Sequence, residues 1–396
     1  MTQRPKTARS RAARPTLEGL EARALLSDMS TAPAEVSAVQ AHPTSQSILQ
    51  NLTPLLTATT VAANGDNNPY GVAFIPKDFP AGGKLKPGDI LVSDFNNGTS
   101  GLQATGVSIV SIDPAGNTTT FFQGQPGLGL NTALGVLPGG FIIVGNTPRT
   151  TVNGTPTVEP GSLLILDRNG QVVETLSASD PVNKLDGPWG LTIVNQGSTS
   201  HVFVSNVLNG TVTRIDMSTR HGKPPKFMGA VEVASGYAFA TNPAALVVGP
   251  QGLAFDARRH VLYVASTADN AIFTVLHPLE ATSSKGTGTV FAQNDGHLNG
   301  PLSLALAPNG HLLVTNGDAI LPNAPPPPFN LILEYQPPRG KAKTGTFVAQ
   351  LPIDNTGIAG GAFGLAIGST SDHNQVLAAV DDNSNSLIAW TIKKTK

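Results

Sequence analysis

The chain contains no cysteine. Disulfides, zinc–thiolate sites, iron–sulfur clusters and cysteine nucleophiles are therefore excluded. Charge is scarce as well: Asp, Glu, Lys and Arg make up 13% of the 396 residues, and the formal net charge is −1. A chain so close to neutral has no basic footprint for nucleic acid or for an anionic membrane. No apolar run approaches the ~20 residues that a helix needs to span a bilayer. The sequence has no G-x-S-x-G elbow, no H-E-x-x-H pair and no Walker A loop. "GQPGLGLN", from Gly124, holds only a G-x-G and leads into a strand, so a phosphate cradle is not expected there. The eight histidines are scattered without paired spacing and read as solvated turn residues.

Glycine (42) and proline (32) are plentiful, alongside much Asn, Thr, Ser and Val. That mixture suits many short strands joined by tight turns. The first 45 residues differ. Arg4, Lys6, Arg9, Arg11 and Arg14 precede "PTLEGLEARALLS", and an Ala/Ser/Thr/Gln-rich stretch follows. Two regions are expected: a disordered basic segment over 1–45 with one short amphipathic helix, and a folded domain over 46–396. The 7–15-residue apolar core of an ordinary secretory peptide is missing.

The folded part repeats. "NNPYGVAFIP" at Asn67 returns as "DGPWGLTIV" at Asp186, "VGPQGLAFD" at Val248, "NGPLSLALAP" at Asn299 and "GGAFGLAIG" at Gly360; "NTALGVLPGG" at Asn131 is a weaker copy. Gly71, Gly135, Gly190, Gly252, Ser303 and Gly364 mark the phase, at intervals of 51–64 residues. A period of that size with strand alternation indicates a radial β array. Each unit reads as four strands, which predicts an all-β fold: a six-bladed β-propeller of four-stranded blades. The sixth unit runs out after its third strand, and "NLTPLLTATTVA" (Asn51 to Ala62) stands free ahead of the first. The N-terminal strand is therefore expected to complete the last blade and remove two open sheet edges. The recurring Gly is expected where inner strands crowd around the axis, and the Pro before it where no ladder N–H is needed.

These phased motifs resemble NHL-repeat and YVTN-type propellers and, more distantly, the gluconolactonase/SMP-30 group. "LEGLEARALLS" is similar to the LEPR-XLL segment of large exported bacterial proteins, through Leu17, Glu18, Leu20, Glu21, Arg23, Leu25, Leu26 and Ser27; Gly19 and Ala22 depart from its commonest form. That resemblance implies an extracytoplasmic bacterial protein, secreted or at the cell surface.

The starts of the first strands and the ends of the second share one face. Asp94, Asn146, Asn206, Ser266, Asn316 and Asp381 end the second strands, and Asn67, Asn131, Asp186 and Asn299 stand four residues before the marker. Such residues end strands because they bond to turn backbone. The alternative is a polar channel mouth. In the gluconolactonase group an Asn or Asp directly before the marker Gly commonly ligates metal. Tyr70, Leu134, Trp189, Gln251, Leu302 and Phe363 occupy those positions here, which argues against a metal-dependent lactonase. No cofactor is expected; the one metal possibility is Ca²⁺ held by Asp94 and Asp381 with turn carbonyls. Tyr70, Trp189 and Phe363 either pack between blades or offer a stacking surface to a sugar ring, an aromatic ligand or a peptide. The candidate ligand-binding residues are Tyr70, Asp94, Asn146, Asp186, Trp189, Asn206, Asn316, Phe363 and Asp381. Two long loops, Thr147 to Gly161 and the proline-rich Gly317 to Asn330, are expected on the same face. The expected function is a non-catalytic scaffold for a protein or carbohydrate partner. The alternative is a lactonase-, lyase- or hydrolase-like enzyme using that mouth.

Overall fold

The computed structural model describes residues 46–220, 223–317, 330–340, 342–370 and 374–393. The LEPR-XLL-like segment and nearly all of the proline-rich loop lie outside them. Six four-stranded antiparallel sheets account for almost all regular structure, with two short 3₁₀ turns, Leu49–Asn51 and Pro181–Asn183. The chain is a six-bladed β-propeller.

The innermost strands of blades one to six are Asn67–Phe74, Leu130–Leu137, Pro188–Gln196, Pro250–Asp256, Pro301–Leu306 and Ala362–Ser369. The second strands are Ile90–Asn96, Phe141–Asn146, Thr199–Asn206, Val261–Ser266, Leu312–Asn316 and Gln375–Asp381. In blade six the outer strand is Leu52–Thr59, from the opposite end of the chain. It pairs with Ser386–Ile392 in a register running from Leu52 opposite Ile392 to Thr59 opposite Ser386. The second strand of this blade is buried nearly throughout and the third is mixed, so without its fourth strand the sheet would present an open hydrogen-bonding edge.

The segment just ahead of that strand is anchored to blade five. Glu334, wholly buried, accepts hydrogen bonds from Ser47 Oγ (2.6 Å), Ile48 N–H (3.0 Å) and Leu49 N–H (3.1 Å), and pairs with His311 Nδ1 (2.6 Å). Burial opposes ionisation of this carboxyl, but the donors prevail and hold it below the usual range.

Each inner strand carries a register shift at its start, where the repeat motif lies. The marker glycine faces the next blade. A Cβ on Gly252 would stand 2.2 Å from the Leu302 carbonyl oxygen, and one on Gly364 would stand 1.9 Å from that of Tyr70. At these two positions no side chain fits, which is the physical reason for glycine there; blade five takes Ser303 in the same slot.

The blades are also joined by buried polar bonds. In blade one, Ser93 Oγ takes the Gly71 N–H (3.0 Å) and donates to the Asn131 carbonyl of blade two (2.7 Å). Ser205 joins Gly190 to the Gln251 carbonyl (2.9 and 2.6 Å), and Thr315 joins Ser303 to that of Phe363 (2.8 and 2.6 Å). The three intervening junctions use Asn131 to Pro188 (2.8 Å), Thr267 to Pro301 (2.7 Å) and Asn68 N–H to Asn385 (2.8 Å). The second-strand endings "VSD", "VSN" and "VTN" carry these hydroxyls in blades one, three and five.

Candidate functional site

Register fixes which end of the disc bears the candidate residues. Pro69 lies opposite Asp94, Leu130 opposite Asn146, Pro188 opposite Asn206, Pro301 opposite Asn316 and Ala362 opposite Asp381. All nine predicted residues therefore come to one end, here called the upper face. Eight are buried and Asp186 is partly so. They form the layer beneath the surface, not its open lip.

The amide and hydroxyl members spend their hydrogen bonds locally. Asn146 donates to Ser162 Oγ at 2.6 Å. Asn206 accepts the Asp186 N–H (3.0 Å) and donates to Thr211 and Thr213. Asn316 accepts the N–H of Asn299 and donates to the His297 carbonyl (2.9 Å). Asp381 takes the Asn383 N–H (3.1 Å) and the Ser384 hydroxyl. These are the strand-ending bonds that Asn and Asp favour. Burial raises the Asp381 carboxyl, opposed by Ser384, and burial alone raises Asp186.

Asp94 differs. It is completely buried, and neither carboxylate oxygen has a hydrogen-bond partner. Burial, with a smaller contribution from the Asp66 charge, pushes its carboxyl well above the usual range. Among the candidate residues, Trp189 Nε1 is likewise buried without a hydrogen-bond partner.

The aromatic members come together on the axis. Tyr70 stacks on Phe363 (ring centroids 4.5 Å) and on Phe95 (4.3 Å), while Trp189 meets Phe95 edge-on at 5.5 Å. Leu302, Val207, Val158, Leu246 and Val247 belong to the same buried cluster. Val158 comes from a hairpin, Arg149–Val152 with Thr155–Val158, formed inside the long loop of blade two. Leu246 and Val247 come from a second hairpin, Ala240–Asn242 with Leu246–Val248, between blades three and four. The sequence reading missed the latter; its signal was the Asn242-Pro243 turn ahead of the apolar "LVV". A third loop joins them, as Gln103 Nε2 donates to the Ala244 carbonyl (3.1 Å) and Arg149 N–H to that of Ala104 (3.0 Å). Ala104 and Leu246 both have left-handed backbone (φ +58° and +64°) yet are buried, so this cap is held in a costly conformation.

Below the glycine level the lining side chains are mostly aliphatic, with Thr192 among them. Leu191, Leu253, Leu304 and Leu365 line a cavity of ≈ 230 Å³, with Phe255 and Ile367 partly exposed at its rim. None of its lining residues is titratable.

No family model matches the chain, and no curated protein matches it significantly in sequence. Solved structures do match. A gluconolactonase from Xanthomonas campestris aligns over 86% of this chain and 97% of its own, at 11% identity and a TM-score of 0.51. The calcium-binding protein regucalcin from Agrobacterium tumefaciens aligns over 86% of this chain and 96% of its own, at 11% identity and a TM-score of 0.48. The likeness is one of fold. Function has to be argued from the sites, because propellers carry many chemistries. Among the described residues, no helix is long and apolar enough to cross a membrane.

Proposed function

We propose that the protein is a non-catalytic recognition scaffold, exported to or beyond a bacterial cell surface, that binds a protein or carbohydrate through its upper face. One observation carries this reading. Of the large apolar side chains left exposed among the described residues, Val61, Leu102, Val152, Val182, Phe239 and Ile358 all stand on loops of that face. Among the described residues, only Leu276 stands at the opposite end, and the rest lie on outer strands. Apolar side chains gathered on loops over a rigid scaffold suit docking of another macromolecule. Aliphatic side chains outnumber aromatic ones among them, which favours a protein over a sugar. The buried ring of Asn146, Asn206, Asn316 and Asp381 would support those loops from below.

The test uses the double variant Phe239→Ser, Ile358→Ser. The wild-type chain should retain a partner from a cell-envelope extract, and the variant should lose it without a change in melting temperature. Equal retention by both would end the proposal.

The second reading is an enzyme of the lactonase, lyase or hydrolase kind, and Asp94 favours it. A buried carboxyl held neutral can act as a general acid. A substrate would have to displace the cap to reach it. Turnover of lactones or esters that disappears in Asp94→Asn would support this second reading.

A further inference from the structure

The histidines show no paired spacing in the sequence, yet folding brings two of them together on the lower face. His260 precedes the second strand of blade four, and His277 follows its third strand, Ala271–Leu276. Val261 and Leu276 are register partners, and the His277 N–H donates to the His260 carbonyl at 2.8 Å. The two rings lie 5.9 Å apart at 30°. Glu280 follows three residues later. One ring nitrogen from each histidine and one carboxylate oxygen all lie within 4.8 Å of one another, and all three residues are exposed.

We propose that His260, His277 and Glu280 form a surface site for a borderline divalent transition metal, Zn²⁺ foremost. Two imidazoles and one carboxylate supply the mixed donor set such ions take, and water would complete the tetrahedron. Ca²⁺ and Mg²⁺ fit poorly, because two of the three donors are nitrogen. Ligand atoms around tetrahedral Zn²⁺ stand about 3.4 Å apart, given bonds of about 2.0–2.1 Å. Closing from 4.8 Å requires only rotamer adjustment of exposed side chains.

The backbone beneath the site is fixed from two directions. Asp256, 1% exposed, accepts the N–H groups of Arg258 (2.9 Å) and Arg259 (3.1 Å), which sets the turn carrying His260. Arg214 reaches over from blade three and donates to the carbonyls of Pro278 (3.0 Å), Leu279 and Ala281 (3.1 Å). Its guanidinium is held in turn by Asp216 at 3.0 Å. The loop bearing His277 and Glu280 is thereby stapled to a neighbouring blade.

His260 and His277 both adopt left-handed backbone (φ +52° and +50°). Glycine or asparagine takes that conformation at lower cost. For His277 the cost is compounded, because it precedes Pro278 and a residue before proline favours extended backbone. Histidine, like Asn and Asp, is among the residues most often found in left-handed backbone, and here that conformation fixes where the two imidazoles project. The site stands on the face opposite the proposed docking surface, so neither proposal depends on the other.

The test uses the full chain after chelator treatment. ZnCl₂ titrated calorimetrically should bind at one equivalent and raise the melting temperature by ~4 °C at a hundredfold excess over Kd. Co²⁺ should give the visible absorption of a four-coordinate site. His260→Asn and His277→Asn preserve the left-handed backbone, and Glu280→Gln preserves shape. Each should weaken Zn²⁺ binding at least ~10-fold, with the metal-free melting temperature within ~1 °C of wild type. Wild-type protein that takes up no Zn²⁺, or a Glu280→Gln variant that binds it undiminished, would overturn the proposal. The latter variant settles the matter even if the histidine variants fail to fold.

Discussion

Closure of the ring can be tested at a single carboxylate. Glu334 gathers the segment leading into the last blade, through Ser47, Ile48 and Leu49, and is wholly buried. Glu334→Gln keeps the shape and one acceptor but turns a donor toward groups that themselves donate. A hydrogen bond to a charged group contributes about 1.5–3 kcal/mol, and an unsatisfied buried donor costs about 1–3 kcal/mol. A net loss of ~3 kcal/mol follows. Unfolding entropy of ~2.1 cal/mol/K per residue over about 350 residues gives ~0.7 kcal/mol/K, so the melting temperature should fall ~4 °C at pH 7. The pH dependence has a definite sign. The folded carboxyl titrates below its unfolded value, so its contribution is full above that unfolded value, near 4.5, and is lost as pH falls through the folded one. The gap between wild type and variant should therefore narrow in acid. Scanning calorimetry at pH 7 and in acid reads the temperatures. Limited proteolysis reads the mechanism: the variant should release the first 60 or so residues sooner than wild type. If Glu334→Gln melts with wild type at pH 7 and is cut no faster, the carboxylate does not fasten the closing strand.

Other perturbations address the ring and its upper layer. Gly364→Ala places a methyl 1.9 Å from the Tyr70 carbonyl and should cost more than ~3 kcal/mol; Gly229→Ala meets nothing within 4 Å and should stay within ~0.5 kcal/mol, both by denaturant titration. Ser205→Ala strands the Gly190 N–H and the Gln251 carbonyl and should cost ~1–3 kcal/mol in the same assay. Asp94→Asn should raise the melting temperature at pH 7. A carboxyl whose folded value is raised loses stability as pH climbs from its unfolded value to the folded one, at ~1.4 kcal/mol, or ~2 °C here, for each pH unit between them. The benefit should vanish below the unfolded value, and an unchanged melting temperature at pH 7 would mean Asp94 is not desolvated. If Asp94 and Asp381 hold Ca²⁺, millimolar CaCl₂ should raise the melting temperature of wild type and not of Asp94→Asn; no rise in wild type would dismiss that possibility.

Blade number and the role of the marker glycine were legible in the sequence because each answers a demand that recurs from blade to blade, and closure followed from counting a fourth strand missing from the last unit. A Cβ at Gly364 clashes for the same reason as one at Gly252: the next blade's carbonyl stands in its way. Glycine at five of the six markers, with Ser303 at the other, leaves a period, and a period can be counted. What could not be read is what occurs once. Glu334 and Ser47 are 287 residues apart, and nothing in either neighbourhood announces the other. The second hairpin of the cap interrupts the repeat just before Gly252, so Val248, four residues before that marker, belongs to a separate element and not to the polar ring. His260 and His277 are 17 positions apart, and only the pairing of Val261 with Leu276 makes them neighbours. That the candidate residues share one end of the disc could be read because strand alternation fixes direction. Their depth could not, because it depends on the irregular loops folded above them. Periodic sequence therefore specifies this scaffold, while recognition has to be sought where the period breaks. On this chain those breaks are the capped upper face and the histidine pair beneath blade four.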